Sequence, residues 1–380
     1  MSPVPSHVST TRGPVLIIGT GLLGTSLALA LRSEGVEVFL RDSSPTAGRL
    51  AQDLGAGTLI GPDDHCSPSL VIVSTPPDVA DICVVDALIR YPEAVVSDVA
   101  SVKLAVLEGV VEEAERRGLD ITSRYVGSHP MAGRERSGAG AADADLFYGR
   151  PWVIVPSPTS APDAVMRIRS LAGDVGAFPI EMDASTHDQS VALISHVPQL
   201  VSSMLAARLA DAPVSALSLS GQGLRDTTRI AASDPRLWTA ILAGNAGPVV
   251  KVLKDIRGDL DDLISHLDAA AQEGPLEGGS VGAVYRVMDQ GNRGVARIPG
   301  KHGGAPRRYV VLDVFVPDTA GSLGRLFADL GEIGVNIEDF ALEHSAGAQM
   351  GVARLSLDPS IVASTICQLQ ERGWNTGSGD

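Results

Sequence analysis

Short apolar runs recur at regular intervals in the first half of the chain, separated by longer stretches with helical spacing. The first run, Val15–Ile18, leads into a glycine-containing turn and an Ala/Leu-rich stretch. Runs of the same kind lie at 37–40, 70–74, 94–97, 152–155 and 177–180. Such runs are typical of strands buried on both faces of a parallel sheet. Their alternation with helices predicts one doubly wound α/β sheet over residues 13–182.

From Met182 onward the spacing of apolar residues becomes helical. Residues 186–210 are mostly apolar and contain Pro198, which predicts a kinked helix, and Asp234 followed by Pro235 is a typical helix start. A later stripe follows one side of an amphipathic helix: Val249, Leu253, Ile256, Leu260, Leu263 and Leu267. We predict an all-α dimerisation domain over 183–296 that buries area between subunits. Packing within one chain alone is the alternative.

The two ends of the chain have different patterns. Residues 1–12 are rich in Ser, Thr and Pro and are interpreted as a disordered tail. Residues 297–308, with three glycines and several basic residues, are interpreted as a linker. Beyond it, strands are predicted at 309–316, 336–343 and 351–357, and helices at 320–331 and 360–371. This βαββα order predicts a small α+β domain over 309–380.

Composition limits the classes of protein that fit. A chain of 380 residues is too long for one ordinary core, so two or three domains are expected. The net charge of −15 argues against a nucleic-acid partner, because phosphate binding relies on a basic surface. Cys66, Cys83 and Cys367 have no metal or redox spacing, which indicates buried thiols in a reducing, cytoplasmic compartment and no bound metal.

One stretch resembles a membrane span by composition. Residues 13–31 contain no charged side chain, which is long enough for a span or for the apolar part of a signal peptide. The stretch also contains Gly19, Gly21 and Gly24, and no basic region followed by a cleavage site surrounds it. A buried strand and helix explain it better, so we predict no membrane partner.

The same glycines form the pattern G-x-G-x-x-G between a strand and a helix. Gly19 permits a tight turn, Gly21 lets the backbone approach a pyrophosphate, and Gly24 allows close packing of the helix on the sheet. Leu22 and Leu23 lie at the helix N-terminus, where free amides and the helix dipole attract phosphate. A purely structural glycine turn is the alternative. We predict a Rossmann-type nucleotide site.

An acid at the end of the second strand bears on the choice between NAD and NADP. Asp42 lies eighteen residues past Gly24, where a carboxylate binds ribose hydroxyls and repels the extra phosphate of NADP. This favours NAD, although Arg41 and Arg49 lie close in sequence. A turn at the end of another strand is predicted to cover the far side of the cofactor, or to be a plain strand end: Ser74, Thr75 and Pro76.

His129 is the candidate for acid–base chemistry. It precedes Pro130, which restricts its backbone, and Arg134, Glu135 and Arg136 follow closely. Ser101, in a polar loop after a predicted strand, is expected within hydrogen-bonding distance. A neutral imidazole beside a nicotinamide can accept a hydroxyl proton while hydride leaves the same carbon. A structural histidine is the alternative.

Five motifs resemble those of the prephenate dehydrogenase family, which includes arogenate dehydrogenases. They are 19–24 (GTGLLG), 97–103 (SDVASVK), 127–133 (GSHPMAG), 194–199 (ISHVPQ) and 223–231 (GLRDTTRIA), the last followed by Ser233, Asp234, Pro235 and Trp238. The resemblance covers most of residues 13–270 in the family's order. It implies His129 as the base, Ser101 as its orienting partner and Arg229 as the cation for a substrate carboxylate. It also places His196 and Glu135 near the substrate, although a core histidine and a surface ion pair are the alternatives.

The implied reaction is the NAD-dependent oxidative decarboxylation of prephenate to 4-hydroxyphenylpyruvate. Hydride leaves the hydroxyl-bearing ring carbon, and loss of CO2 then makes the ring aromatic. Three alternatives remain at this point. The substrate is arogenate, which has an ammonium group where prephenate has a ketone; the chain is a redox-inactive sensor of NAD and amino acids; or it is another hydroxyacid dehydrogenase, which releases no CO2.

Residues 309–375 look like an ACT domain, a module that commonly senses amino acids. The loop before its first helix is expected to bind the carboxylate of tyrosine as a feedback inhibitor through backbone amides, with these residues at the ligand: Asp318, Ala320, Gly321, Ser322 and Leu323. A dimerisation module without a ligand is the alternative. Because the chain ends soon after Trp374, the last ACT strand is expected to be short or missing.

Overall fold

The computed structural model describes residues 9–119, 122–134, 136–274, 278–299, 309–344 and 349–378. The chain divides into two compact units. The first comprises Met1–Met204 and Ile230–Lys254, and the second Leu205–Arg229 and Asp255–Asp380.

A five-stranded parallel sheet forms the centre of the first unit. Its strands are β1 (Val15–Ile18), β2 (Val38–Arg41), β3 (Thr58–Leu59), β4 (Leu70–Val73) and β5 (Val95–Asp98). The order is β3-β2-β1-β4-β5, and every neighbouring pair is parallel. The helices that connect and follow them are α1 (Leu22–Ser33), α2 (Pro45–Asp53), α3 (Pro77–Arg90) and α4 (Leu104–Arg116). The predicted doubly wound sheet is confirmed, with its reversal of strand order between β1 and β4, where such folds bind ligands.

A separate three-stranded sheet follows, which corrects one expectation. Its strands are β6 (Val126–Pro130), β7 (Pro151–Pro156) and β8 (Phe178–Glu181), and α5 (Pro162–Asp174) lies between the last two. The strands β6 and β7 are antiparallel, whereas β7 and β8 are parallel. The two runs at 152–155 and 177–180 therefore do not extend the parallel sheet. Parallel neighbours need a long crossover connection, and the described residues between β6 and β7 contain only a 3-10 turn at Ala139–Ala141.

Buried polar side chains join β6 to the parallel sheet. One parallel backbone bridge connects Val96 and Tyr125. The fully buried ammonium of Lys103 pairs with Asp98 and donates to the Ser128 carbonyl at 2.7 Å, and the Tyr125 hydroxyl donates to Asp98 at 2.7 Å. Burial lowers the pKa of Lys103 and raises that of Tyr125. This cluster fixes the strand that carries His129.

The helices that follow are α6 (Ala184–Val191), α7 (Val197–Ala207), α8 (Val214–Leu217), α9 (Gln222–Thr228), α10 (Pro235–Gly244), α11 (Ala246–Glu273) and α12 (Ser280–Val295). A π-helical turn, Ala192–His196, lies between α6 and α7. The predicted interruption at Pro198 takes this form because proline has no N–H for the residue four positions earlier. The Asp234 carboxylate accepts a hydrogen bond from the amide of Arg236, so the predicted start of α10 is confirmed.

Three apolar stretches differ in how far they are buried. Residues 13–31, which resembled a membrane span, form β1 and α1, with most of their side chains buried. Within the described part of the chain, Ala184–Ala207 is the one helix long and apolar enough to cross a membrane, a test that core helices also pass. On α11, Val249 is buried, whereas Ile256, Leu260 and Leu267 are 39%, 50% and 45% exposed. The stripe is thus exposed toward its C-terminal end.

The C-terminal part of the second unit is a βαββαβ structure. Its elements are β9 (Val310–Pro317), α13 (Ser322–Ile333), β10 (Asp339–His344), β11 (Met350–Leu357), α14 (Val362–Glu371) and β12 (Asn375–Ser378). The sheet order is β10-β11-β9-β12, and all pairs are antiparallel. Leu312, Val314 and Val316 alternate into its core. The last strand is present but only four residues long, and the architecture is that of a ferredoxin-like fold.

Replacing Lys103 with Met tests the buried cluster. The Asp98 carboxylate would remain buried without its cation, so we expect the free energy of unfolding to fall by about 3–5 kcal/mol, measured by urea denaturation. The double variant Asp98→Asn, Lys103→Met removes both charges and should recover part of that loss. A Lys103→Met protein as stable as the wild type would contradict this account.

Candidate active site

The glycine loop after β1 has the geometry of a pyrophosphate site. Gly19 has a φ of +96° and lies against the backbone of Ser74, so only glycine fits there. A Cβ added at Gly21 would meet no atom within 4 Å, whereas one at Gly24 would collide with backbone. No described side chain caps α1, whose N-cap is Gly21, and its first turn has no acid. The first amides of α1 are therefore available to an anion.

Asp42 is fixed beside this loop at the end of β2. The amide and the hydroxyl of Thr20 donate to one carboxylate oxygen at 2.6 and 2.7 Å, and the amide of Ser44 donates to the other at 2.7 Å. The guanidinium of Arg41 contacts the Gly61 carbonyl and lies 6.0 Å from the centre of the Tyr91 ring. The arrangement offers a carboxylate to a ribose diol and directs Arg41 elsewhere, which fits NAD better than NADP.

His129 lies within β6. Because β6 lies parallel to β5 at their bridge, His129 is at the carboxyl edge of the sheet, the edge that also carries the glycine loop. Its side chain is partly exposed. The Nδ1 atom of His129 is 2.8 Å from the Nε2 atom of His187.

The hydrogen bonds continue from His187 to a carboxylate. The Nδ1 atom of His187 is 2.7 Å from Asp188, and the amides of Lys103 and Leu104 donate to the two oxygens of Asp188, each at 2.9 Å. His187 and Asp188 are 1% and 2% exposed. A buried Asp–His–His chain thus connects the start of α4 with the imidazole in β6.

Burial lowers the pKa of two histidines of this site, His129 and His196. It is the largest cause that lowers the pKa of His129 well below 6.5, and charge repulsion from His187, Lys103 and His196 acts in the same direction. Burial also lowers the pKa of His196 to about 4. A neutral imidazole has a free acceptor nitrogen, which a general base requires.

Asn245 sets the proton position on His196. Its side-chain nitrogen lies 2.8 Å from the carbonyl of Asp188 and 3.0 Å from Nδ1 of His196. An amide NH2 group only donates, so Nδ1 of His196 is the acceptor and Nε2 carries the hydrogen. The ring also packs edge-on against Trp238, with the ring centres 6.0 Å apart. His196 is therefore available as a hydrogen-bond donor.

The other predicted site residues are placed as follows. Ser101 is partly exposed in the loop before α4, and among the described contacts it makes no hydrogen bond with His129, whose partner is His187. Ser74 and Thr75 follow β4, and Pro76 is the N-cap of α3. Arg229 is an exposed residue of the second unit, and Glu135 lies outside the described residues.

The predicted regulatory loop lies in the second unit. The amide of Asp318 donates to the Gln349 carbonyl at 2.9 Å, and Thr319 and Ser322 share a hydrogen bond of 2.7 Å. Gly321 has a φ of +88° and precedes α13, which therefore begins two residues later than predicted. The roles predicted for these residues stay predictions.

Four residues of the site were missed by sequence reasoning: Lys103, His187, Asp188 and Asn245. Lys103 ends the 97–103 motif, and the other local signal is a His-Asp pair nine residues before His196 in a mostly apolar helical stretch. The contact between His129 and His187 spans 58 positions, so residue spacing does not reveal it.

Comparisons with known proteins identify the family of the chain. The family described as the nucleotide-binding domain of prephenate dehydrogenase matches residues 27–181, and its dimerization domain matches residues 183–277. A probable prephenate dehydrogenase, NovF, from Streptomyces niveus is 33% identical over 365 residues, which is 96% of this chain and 99% of that protein.

Two solved structures are similar to the larger part of the chain. Prephenate dehydrogenase from A. aeolicus, in complex with hydroxyphenyl propionate and NAD+, has a TM-score of 0.62 and 26% identity, over 73% of this chain and 97% of that one. Arogenate dehydrogenase from Synechocystis has a TM-score of 0.58 and 27% identity, over 74% of this chain and 98% of that one.

A pair of glycine variants tests the nucleotide site. Gly21→Val adds atoms to open space where a pyrophosphate would lie, so we expect dinucleotide affinity to fall at least about tenfold, or about 1.4 kcal/mol, with an unchanged melting temperature. Gly24→Val forces α1 away from the sheet and should lower the melting temperature. Calorimetric titration and thermal denaturation check both. Unchanged NAD affinity in Gly21→Val would remove this loop from the site.

Proposed function

Because the chain belongs to the prephenate dehydrogenase family, we propose that it converts prephenate to 4-hydroxyphenylpyruvate in tyrosine biosynthesis, with NAD as cofactor. The observation that carries this proposal is the position of the His129 imidazole, whose pKa is held below its usual value. It is partly exposed at the edge of the sheet that also carries the glycine loop, and it is bonded through His187 to a buried carboxylate.

The bonds and charges balance with one base. The glycine loop and Asp42 would hold NAD+, which would supply the hydride acceptor. The ring nitrogen of His129 that faces away from His187 accepts the hydroxyl proton of the substrate as a C–H bond breaks and a carbonyl forms. The bond to the carboxylate then breaks, CO2 leaves, and its electron pair makes the ring aromatic. The imidazolium of His129 returns its proton to the phenolate oxygen.

Other side chains are assigned by their family positions. Arg229 binds a carboxylate of the substrate, since a planar guanidinium can hold it through two hydrogen bonds. Ser101 lies in the loop that Lys103 and Asp188 fix, and it assists His129. His196 donates through Nε2 to the substrate, and Glu135 lies near the entrance.

Arogenate is the second candidate substrate. The chain is similar to an arogenate dehydrogenase of known structure, which supports arogenate as an alternative substrate. Arogenate carries an ammonium group, which an additional acid in the pocket would stabilise. Glu135 is the acid that the sequence offers for this purpose.

The substrate is tested with the purified protein. We expect the highest kcat/KM with prephenate and NAD, and lower values when arogenate replaces prephenate or NADP replaces NAD. Measuring NADH or NADPH formation for the four combinations decides between them. Higher kcat/KM with arogenate would make the chain an arogenate dehydrogenase.

We also propose a homodimer with a regulatory C-terminal domain. Ile256, Leu260 and Leu267 are exposed on α11, and we assign this apolar surface to the subunit interface. The βαββαβ unit agrees with an ACT domain in the number and order of its elements, and we assign tyrosine to the loop before α13 as feedback inhibitor. The expectation of buried thiols is wrong, since Cys66 and Cys83 are partly exposed and Cys367 is exposed; all three are free, which supports a cytoplasmic location.

Replacing His129 with Asn tests the base. The variant keeps the strand and the glycine loop but has no group that takes up a proton, so kcat should fall by about 10²- to 10⁴-fold with NAD affinity unchanged. Near-normal turnover of His129→Asn would exclude this role.

The pH dependence of the wild type also tests the base. A base with a pKa well below 6.5 stays unprotonated at neutral pH. The kcat/KM of the wild-type enzyme should therefore be constant from pH 8 to about 6.5 and fall only at lower pH.

Removing residues 305–380 tests regulation. Tyrosine inhibition should disappear while kcat stays within about twofold of the full chain, since the proposed catalytic groups precede the deletion. Initial rates at increasing tyrosine concentrations measure both. If the shortened enzyme is equally sensitive, tyrosine binds at the active site instead.

A further inference from the structure

We propose that Asp188, acting through His187, positions the proton on His129, so that Nδ1 carries it and Nε2 is the acceptor that faces the substrate. His187 and Asp188 are thus positioning residues for the base. The inference rests on the proposed function for its kinetic consequences, but the proton positions themselves are a property of the protein without substrate.

The donor and acceptor roles in these hydrogen bonds follow from the Asp188 carboxylate. An ionised carboxylate only accepts hydrogen bonds, and Asp188 accepts from the amides of Lys103 and Leu104 at the N-terminus of α4. The nitrogen of His187 that lies 2.7 Å from this carboxylate must therefore carry a hydrogen. In the neutral ring, the second nitrogen of His187 is then a bare acceptor.

The same argument fixes the next ring. Only one hydrogen can lie between the two nitrogens that are 2.8 Å apart. Because Nε2 of His187 accepts, Nδ1 of His129 donates, and Nε2 of His129 keeps its lone pair. The reversed arrangement would leave a hydrogen on the nitrogen that has to accept the substrate proton.

Turnover makes the carboxylate more important. When His129 accepts a proton, a cation forms among groups that all disfavour it: Lys103 at the start of α4, His187 on α6 and His196 in the π-helical turn. The neighbouring strand β7 pairs His129 with Val153, which brings no charge. The nearest compensating charge along the hydrogen-bonded chain is Asp188, so the proton on Nδ1 is directed toward an anion.

Three variants separate this role from simple support of the fold. His187→Gln keeps an oxygen that can accept from His129, whereas His187→Phe has none. Asp188→Asn has an NH2 group that can donate to His187 and reverse both rings. Asp183→Ala is the matched control, since it removes the N-cap of the same helix, bonded to the amide of Thr186, without touching the chain of histidines.

The measurements are kcat, KM and their pH dependence with prephenate, the melting temperature, NAD affinity, and imidazole ¹⁵N shifts by NMR. We expect kcat losses of about 10²- to 10⁴-fold for Asp188→Asn and His187→Phe, with recovery of at least about tenfold in His187→Gln relative to His187→Phe. NAD affinity should not change. Asp183→Ala should lower the melting temperature and leave kcat and the pH profile unchanged.

The NMR signals of the wild type decide the inference even if a variant fails to fold. Protonated Nδ1 and bare Nε2 on His129, and the same pattern on His187, support it. A hydrogen on Nε2 of His129 overturns it, as does wild-type kcat in Asp188→Asn. If the wild type does not oxidise prephenate, the proposed function fails, and the NMR result still stands or falls alone.

Discussion

The hydrogen bonds of the Asp188 carboxylate are the constraint on which the rest of the site depends. Its two oxygens bind the first amides of α4, and one of them also binds His187, which in turn contacts His129 in β6. The Asp188 side chain therefore connects three segments: β6, the loop with Ser101 and α6. The desolvation of such a buried carboxylate is tolerated only because both of its oxygens accept hydrogen bonds.

A second buried charge, the ammonium of Lys103, stabilises the same arrangement. Lys103 bonds to Asp98 and to the backbone of Ser128, next to His129. Its cation lowers the pKa of His129 together with burial. The site thus combines a base that stays neutral with a fixed anion two hydrogen bonds away. This combination suits a reaction in which a proton is taken up and then returned.

Local sequence patterns predicted the parallel sheet and the glycine loop because buried parallel strands and G-x-G-x-x-G turns have strong local signals. The strand with His129 was missed, since Gly127, Ser128 and Pro130 are poor strand formers and side-chain bonds to β5 hold them there. The His187–Asp188 pair was missed because its partners are distant in sequence. The antiparallel return of β7 also depends on tertiary pairing. The last strand, β12, forms with only four residues because it pairs with the edge of β9 that β11 leaves open.

The central claim is that one neutral histidine couples hydride transfer to decarboxylation. The most direct test is to follow NADH, CO2 and 4-hydroxyphenylpyruvate together in one reaction of the purified protein with prephenate and NAD. We predict that all three form in equal amounts. NADH formed without CO2 would mean a simple hydroxyacid dehydrogenase, and no NADH with retained NAD binding would mean a sensor; either result would contradict the account.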